Sequence, residues 1–122
     1  MDKNVLTLAY LGDAVYELAI RKYLIDLGIV KVNDLQKEAI FFVSAKGQAG
    51  FLTKLLEEEF LTEDEKDIVF RARNHKGSRH PKNTDILTYK HATGFEALIG
   101  YLYLEGKQGR INEIMEKIRG ER

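Results

Sequence analysis

The chain has 122 residues, 44% of them apolar and 31% charged, with 19 basic and 19 acidic side chains and no cysteine. That length suits one domain with one hydrophobic core, and the composition is globular rather than disordered or fibrous. The missing cysteines exclude disulfides, thiolate metal sites and a cysteine nucleophile, and zero net charge means that any attraction for nucleic acid must be local.

A single proline and recurrent helical periodicity, without strand-like alternation, predict an all-α fold. The start, Met1-Asp2-Lys3-Asn4, lacks the basic-then-apolar pattern of a signal peptide. No run of about 18 apolar residues offers a membrane span, so a cytoplasmic protein without a membrane partner is expected. Residues 5–27 read as a long helix, and between Asn4 and Ile20 its only charges are Asp13 and Glu17. A helix so apolar all round belongs in the middle of a fold or at a subunit interface. Gly28 is its stop signal.

The second helix is expected from Asn33 to about Val43, with Asn33 and Gln36 as a capping box. Ser44 then caps a third, roughly 45–59, that buries Phe51, Leu52, Leu55 and Leu56. Thr62 with Glu65 forms a second capping-box pattern and opens a helix to about Arg73, with acids in the first turn where the helix dipole favours them. Residues 74–84 lack apolar periodicity and contain Gly77 and Pro81, which predicts an exposed loop. A helix over roughly 86–105, with a break near its start left open, ends at Gly106. The last, about 110–119, carries Ile111, Ile114, Met115 and Ile118 as one buried stripe. With no internal repeat or linker, residues 1–122 read as one domain.

Charge is segregated although the total cancels. Residues 57–67 hold seven acids and one base, Lys66, whereas residues 71–91 hold six Lys or Arg, all three histidines and one acid, Asp85. A solvated loop is the plain reading of such a cluster. The Gly, Ser, Asn and His interleaved with the bases add neutral donors and backbone access, which suits phosphate binding.

Asp13 and Glu96 stand out for a different reason. Each sits in an apolar helical stretch, and an ionised carboxylate removed from water is costly unless it is paired or bound to metal. Asp13 lies in Leu11-Gly12-Asp13-Ala14-Val15, where small neighbours permit close helix approach; Glu96 is the one charge between Ala92 and Leu104. A buried ion pair or a wet interface would explain both. So would a magnesium site, because Mg²⁺ keeps several waters and needs one or two protein carboxylates. Glu17, four residues after Asp13 on the same helix face, is either a further ligand or the ion-pair partner of Arg21.

At these residues the chain resembles a known family. Leu8-Ala9-Tyr10-Leu11-Gly12-Asp13-Ala14-Val15 resembles the signature helix of the ribonuclease III family. Phe95-Glu96-Ala97-Leu98-Ile99-Gly100-Tyr101-Leu102-Tyr103-Leu104 resembles that family's second catalytic helix. The two lie about 80 residues apart in the family's order, and the similarity runs the length of the chain. The family's usual double-stranded-RNA-binding domain is missing, as in its compact "mini" branch.

The resemblance implies a homodimeric, all-helical endonuclease domain with one Mg²⁺-dependent site per subunit along a double-stranded-RNA groove. It implies cuts that leave 5′-phosphate and 3′-hydroxyl ends with a short 3′ overhang. The implied substrate is precursor 23S ribosomal RNA of the large subunit. Asp13 matches the signature aspartate and Glu96 the glutamate of the second motif. Two further acids of the larger family fall at Ala9 and Thr93, which implies a sparser ligand set, as in the compact branch. Lys76, Arg79 and Lys82 are the expected phosphate contacts, supported by Arg71, Arg73 and Lys90. His75 and His80 are expected at RNA rather than metal, since their spacing fits no compact zinc site; His91 is expected to be structural. The competing reading is a catalytically weak or inactive RNA-binding, ribosome-associated module of the same fold.

Overall fold

The computed structural model describes residues 4–75 and 85–121. They form six helices: α1 Val5–Asp26, α2 Val32–Val43, α3 Ala45–Glu57, α4 Glu63–Arg73, α5 Ile86–Leu104 and α6 Gln108–Arg119. The expected all-α fold is found, and among the described residues there is no strand.

The end signals worked where the side chain reaches its target. Ser44 Oγ accepts from the Gly47 N–H at 3.0 Å and opens α3. Thr62 and Glu65 form the reciprocal capping box of α4. Gly28 takes the left-handed conformation (φ 94°) that ends α1 without a Cβ penalty. The Asn33–Gln36 box is not formed. α2 begins at Val32, because the extended Lys31 already offers its carbonyl to the Leu35 N–H at 2.9 Å. Asn33 therefore lies inside the first turn. Asp85 caps an unbroken α5 through the Thr88 N–H.

α5 is the centre of the fold, packed against α1, α3 and α4. From Ala92 to Leu102 it buries every residue except Glu96 and Tyr101, which are half-buried. The helix that is apolar all round and surrounded is therefore α5. α1 buries Val5, Leu8, Ala9, Gly12, Tyr16, Ile20 and Leu24 along one stripe and leaves Tyr10, Leu18 and Ile25 exposed. The core joins Tyr16, Phe42 and Phe95: the Tyr16 hydroxyl donates to the Phe42 carbonyl at 2.8 Å, and its ring meets Phe95 edge-on at 4.9 Å.

One ion pair binds α4 to α6. Arg110 donates through Nε to Glu65 Oε2 at 2.8 Å and through Nη2 to Oε1 at 2.9 Å, reaches the Phe60 carbonyl, and stacks over the Phe60 ring at 4.4 Å. Burial would push the Glu65 carboxyl up, but hydrogen bonds from Arg110 and Thr62 outweigh it and hold the group below its ordinary range. Removing one partner of a buried pair leaves the other uncompensated, so Arg110→Ala is expected to cost about 3–5 kcal/mol in urea unfolding at neutral pH. Because the Glu65 carboxyl is depressed, its stabilisation is present above the unfolded value of 4.5 and fades as pH falls. The gap between wild type and variant should therefore narrow in acid; a gap that widens there would count against this pair.

Candidate active site

The two acids named from the sequence meet where α1 crosses α5. The crossing is close because neither helix carries a Cβ at the contact. A Cβ built on Gly12 would lie 1.7 Å from the Glu96 carbonyl oxygen, and one on Gly100 would lie 2.0 Å from the Leu8 carbonyl oxygen. Backbone thus meets backbone, and the residue after Gly12 is carried to the residue whose carbonyl Gly12 touches. Asp13 and Glu96 are brought into side-chain hydrogen-bonding contact.

Their environments differ. Asp13 is exposed, so the expectation of a costly buried acid does not hold there: α1 turns that face outward. Glu96 is half-buried. Burial first, then the charge of Asp13 and the hydrogen bond to it, push the Glu96 carboxyl up to about 8, against a smaller opposing contact from Gln48. Like-charged carboxylates at one spot resist joint ionisation. A divalent cation relieves that conflict, and two oxygen donors that can both ionise suit magnesium, which draws its remaining ligands from water. The donor set therefore fits such an ion.

Glu17 is paired with Arg21 at 3.4 Å, the plainer of its two readings. Among the described residues no three acids or histidines lie together as a metal cluster. Ala9 and Thr93, where the resemblance implied two further acids in the larger family, are buried, and the Thr93 hydroxyl donates to the Tyr89 carbonyl at 2.9 Å.

The basic patch is described in part. Arg71 is exposed and lies 3.6 Å from Asp67; the Arg73 guanidinium sits 4.7 Å above the Phe70 ring. Both stand in the last turn of α4, where cations suit the helix dipole. His75 and Lys90 are half-buried on either side of the segment that joins α4 to α5. Lys76, Arg79, His80 and Lys82 lie outside the described residues. His91 Nδ1 is 2.9 Å from the Leu87 carbonyl, a bond within its own helix that agrees with a structural role.

Sequence reasoning missed Gln48. It is buried on α3, its Nε2 donates to the Val43 carbonyl at 3.1 Å, and its amide lies against Glu96. The signal was available: Gln48 takes the first position of the buried stripe Gln48, Phe51, Leu52, Leu55, a polar residue where the period demands an apolar one.

Comparison with known proteins identifies the family. The Ribonuclease III domain family matches residues 6–107. A Brevibacillus brevis protein named mini-ribonuclease 3 is 52% identical over 114 residues, which span 93% of this chain and 84% of that one. The Streptococcus pneumoniae protein of the same name is 43% identical over 96% of this chain and 94% of its own length. A Fusobacterium nucleatum protein solved by crystallography superposes with a TM-score of 0.85 at 37% identity, covering 94% of this chain and 92% of that one. The chain belongs to the ribonuclease III family, endoribonucleases that act on double-stranded RNA and form dimers.

Proposed function

We infer that residues 1–122 act as one catalytic domain that cleaves double-stranded RNA, with Asp13 and Glu96 holding Mg²⁺ between them. The observation that carries this reading is the contact of the two acids at the Gly12–Gly100 crossing, one of them pushed up by burial and then by the other. A bound Mg²⁺ would supply water activation and stabilise charge developing on the phosphate. The chain's own part is to hold two oxygen donors at one point on rigid helices. Attack of water on the phosphodiester leaves 5′-phosphate and 3′-hydroxyl ends, the products of this family.

Two protomers would cut the two strands. The exposed face of α1 supports pairing there: Tyr10, Ala14 and Leu18 recur every four residues, and Ala14 and Leu18 share with Tyr103 a cleft of about 570 Å³. The substrate we assign is precursor 23S ribosomal RNA in the bacterial cytoplasm, which the resemblance to the compact branch of the family implies; the relatives of that branch match across most of the chain. Among the described residues no helix is long and apolar enough to cross a membrane.

Lys76, Arg79 and Lys82, with Arg71, Arg73, His75, His80 and Lys90, are assigned to the RNA. A-form duplexes are read mainly through shape, phosphates and 2′-hydroxyls. Perfect duplex RNA incubated with wild type is expected to be cut in pairs with Mg²⁺ and left intact without it, and Asp13→Asn should leave it intact in both. Cutting by Asp13→Asn at the wild-type rate would remove the assignment. Reversing the charge of Lys76, Arg79 and Lys82 together should weaken duplex binding by about 10³-fold or more at moderate salt and flatten the salt dependence. Normal affinity in that variant would take the loop out of the RNA interface.

A further inference from the structure

Three buried side chains among the described residues are polar or charged: Gln48, Glu65 and Thr93. Glu65 is satisfied by Arg110 and its own capping box. Thr93 bonds back within its helix. Gln48 alone of the three keeps an atom, Oε1, buried and without a partner among the described residues. A buried orphan acceptor costs stability, and a native structure that keeps one calls for a reason.

The surroundings supply one. The amide has two N–H donors. One is spent on the Val43 carbonyl, at the C-terminal end of α2 where backbone acceptors lack partners within the helix. Flipping the amide would set Oε1 against that carbonyl, acceptor against acceptor, so the orientation is fixed. The remaining donor is left for the Glu96 carboxyl, against which the amide lies. An apolar side chain of the same volume would fill the place without an orphan oxygen, so packing alone does not account for glutamine here. The α2–α3 corner, tied by Ser44 and by Gln48, thereby reaches the acid at the centre of α5.

We propose that Gln48 is a positioning residue of the two-acid site: anchored on Val43, its amide N–H orients the Glu96 carboxylate toward the divalent cation, and Oε1 is the acceptor that this fixed orientation leaves over. This rests on the assignment of Asp13 and Glu96 as the metal-holding pair. It assigns no ligand bond to Gln48. Residues that hydrogen-bond a metal ligand tune affinity and rate by about 10- to 100-fold, and that is the effect expected here.

The test uses the full chain with two replacements. Gln48→Met keeps the volume and removes the amide; Gln48→Asn keeps an amide too short to span from Val43 to Glu96. Mn²⁺ binding by calorimetry, melting of the metal-free protein, and kcat and KM on duplex RNA are measured for both. Mn²⁺ affinity and kcat should fall by about 10- to 100-fold with KM for RNA unchanged, while metal-free Gln48→Met melts near the wild-type temperature, since it removes the orphan Oε1 but frees the Val43 carbonyl. Wild-type Mn²⁺ affinity in either folded variant overturns the proposal, including the case where melting drops and metal binding does not. Asp13→Asn run alongside separates the two levels. If it loses Mn²⁺ while the Gln48 variants keep it, this inference fails and the site assignment stands. If it binds Mn²⁺ and cleaves as wild type does, the site assignment itself fails.

Discussion

Replacing Glu96 by Gln is expected to silence cleavage of duplex RNA and to make the metal-free protein more stable at about pH 8.5. Both effects come from one conflict. Burial and the neighbouring Asp13 raise the Glu96 carboxyl from 4.5 to about 8. Between those values the folded state holds a proton that the unfolded chain has released, so stability falls as pH rises through that window. Gln cannot ionise and escapes the fall. The variant and wild type should therefore melt alike near pH 4 and diverge toward pH 8. The gain should reach about 1–3 kcal/mol, or several degrees in Tm. Activity runs the other way: holding a cation needs the ionised acid, so metal binding releases a proton and strengthens with pH. Wild-type cleavage should climb with pH, with a midpoint below 8 that moves down as Mg²⁺ is raised. Glu96→Gln should lose at least about 10²–10³-fold in rate and should gain no Tm from added Mg²⁺, whereas wild type gains it through linkage. Wild type proving the more stable at pH 8.5 without metal would falsify the conflict; unimpaired cleavage by the variant would remove Glu96 from the chemistry.

The same pair shows what the sequence could and could not convey. Two acids in apolar stretches, flanked by small residues, were legible as chemistry and as a close crossing. Their unequal exposure was not. Periodicity places a residue on a helix face, but which face meets solvent depends on partner helices, and α1 turns Asp13 outward while α5 is enclosed. Caps were legible where a short side chain meets its own backbone, as at Ser44 and Thr62. At Asn33 the same pattern failed because Lys31 had already begun the helix. Gln48 and Arg110 escaped notice for a common reason. Both act through partners distant in sequence, Glu96 and Glu65, which even the polar break that Gln48 makes in its apolar stripe does not reveal. Nothing local marks such a pairing.

Gly12→Ala is expected to unfold the protein or cost it more than about 4 kcal/mol, although Ala is the better helix former by about 1 kcal/mol. The added methyl would sit 1.7 Å from the Glu96 carbonyl oxygen, 2.7 Å from its carbon and 2.8 Å from the Gly100 nitrogen. These are backbone atoms inside α5 and cannot swing away as a side-chain tip would. Relief requires α1 and α5 to part by more than an ångström along the most extensively packed helix pair of the fold, which opens gaps that close packing does not tolerate cheaply. Gly100→Ala should behave alike, since its Cβ would meet the Leu8 carbonyl at 2.0 Å. Gly50→Ala is the internal control: it lies inside α3 with nothing within 4 Å of the new carbon, so propensity acts alone and should stabilise by about 0.5–1 kcal/mol. The three variants thus separate helix propensity from helix crossing in one set of urea titrations. If Gly12→Ala proved as harmless as Gly50→Ala, the crossing would not be the close one seen here, and Asp13 and Glu96 would lose the contact that brings them together.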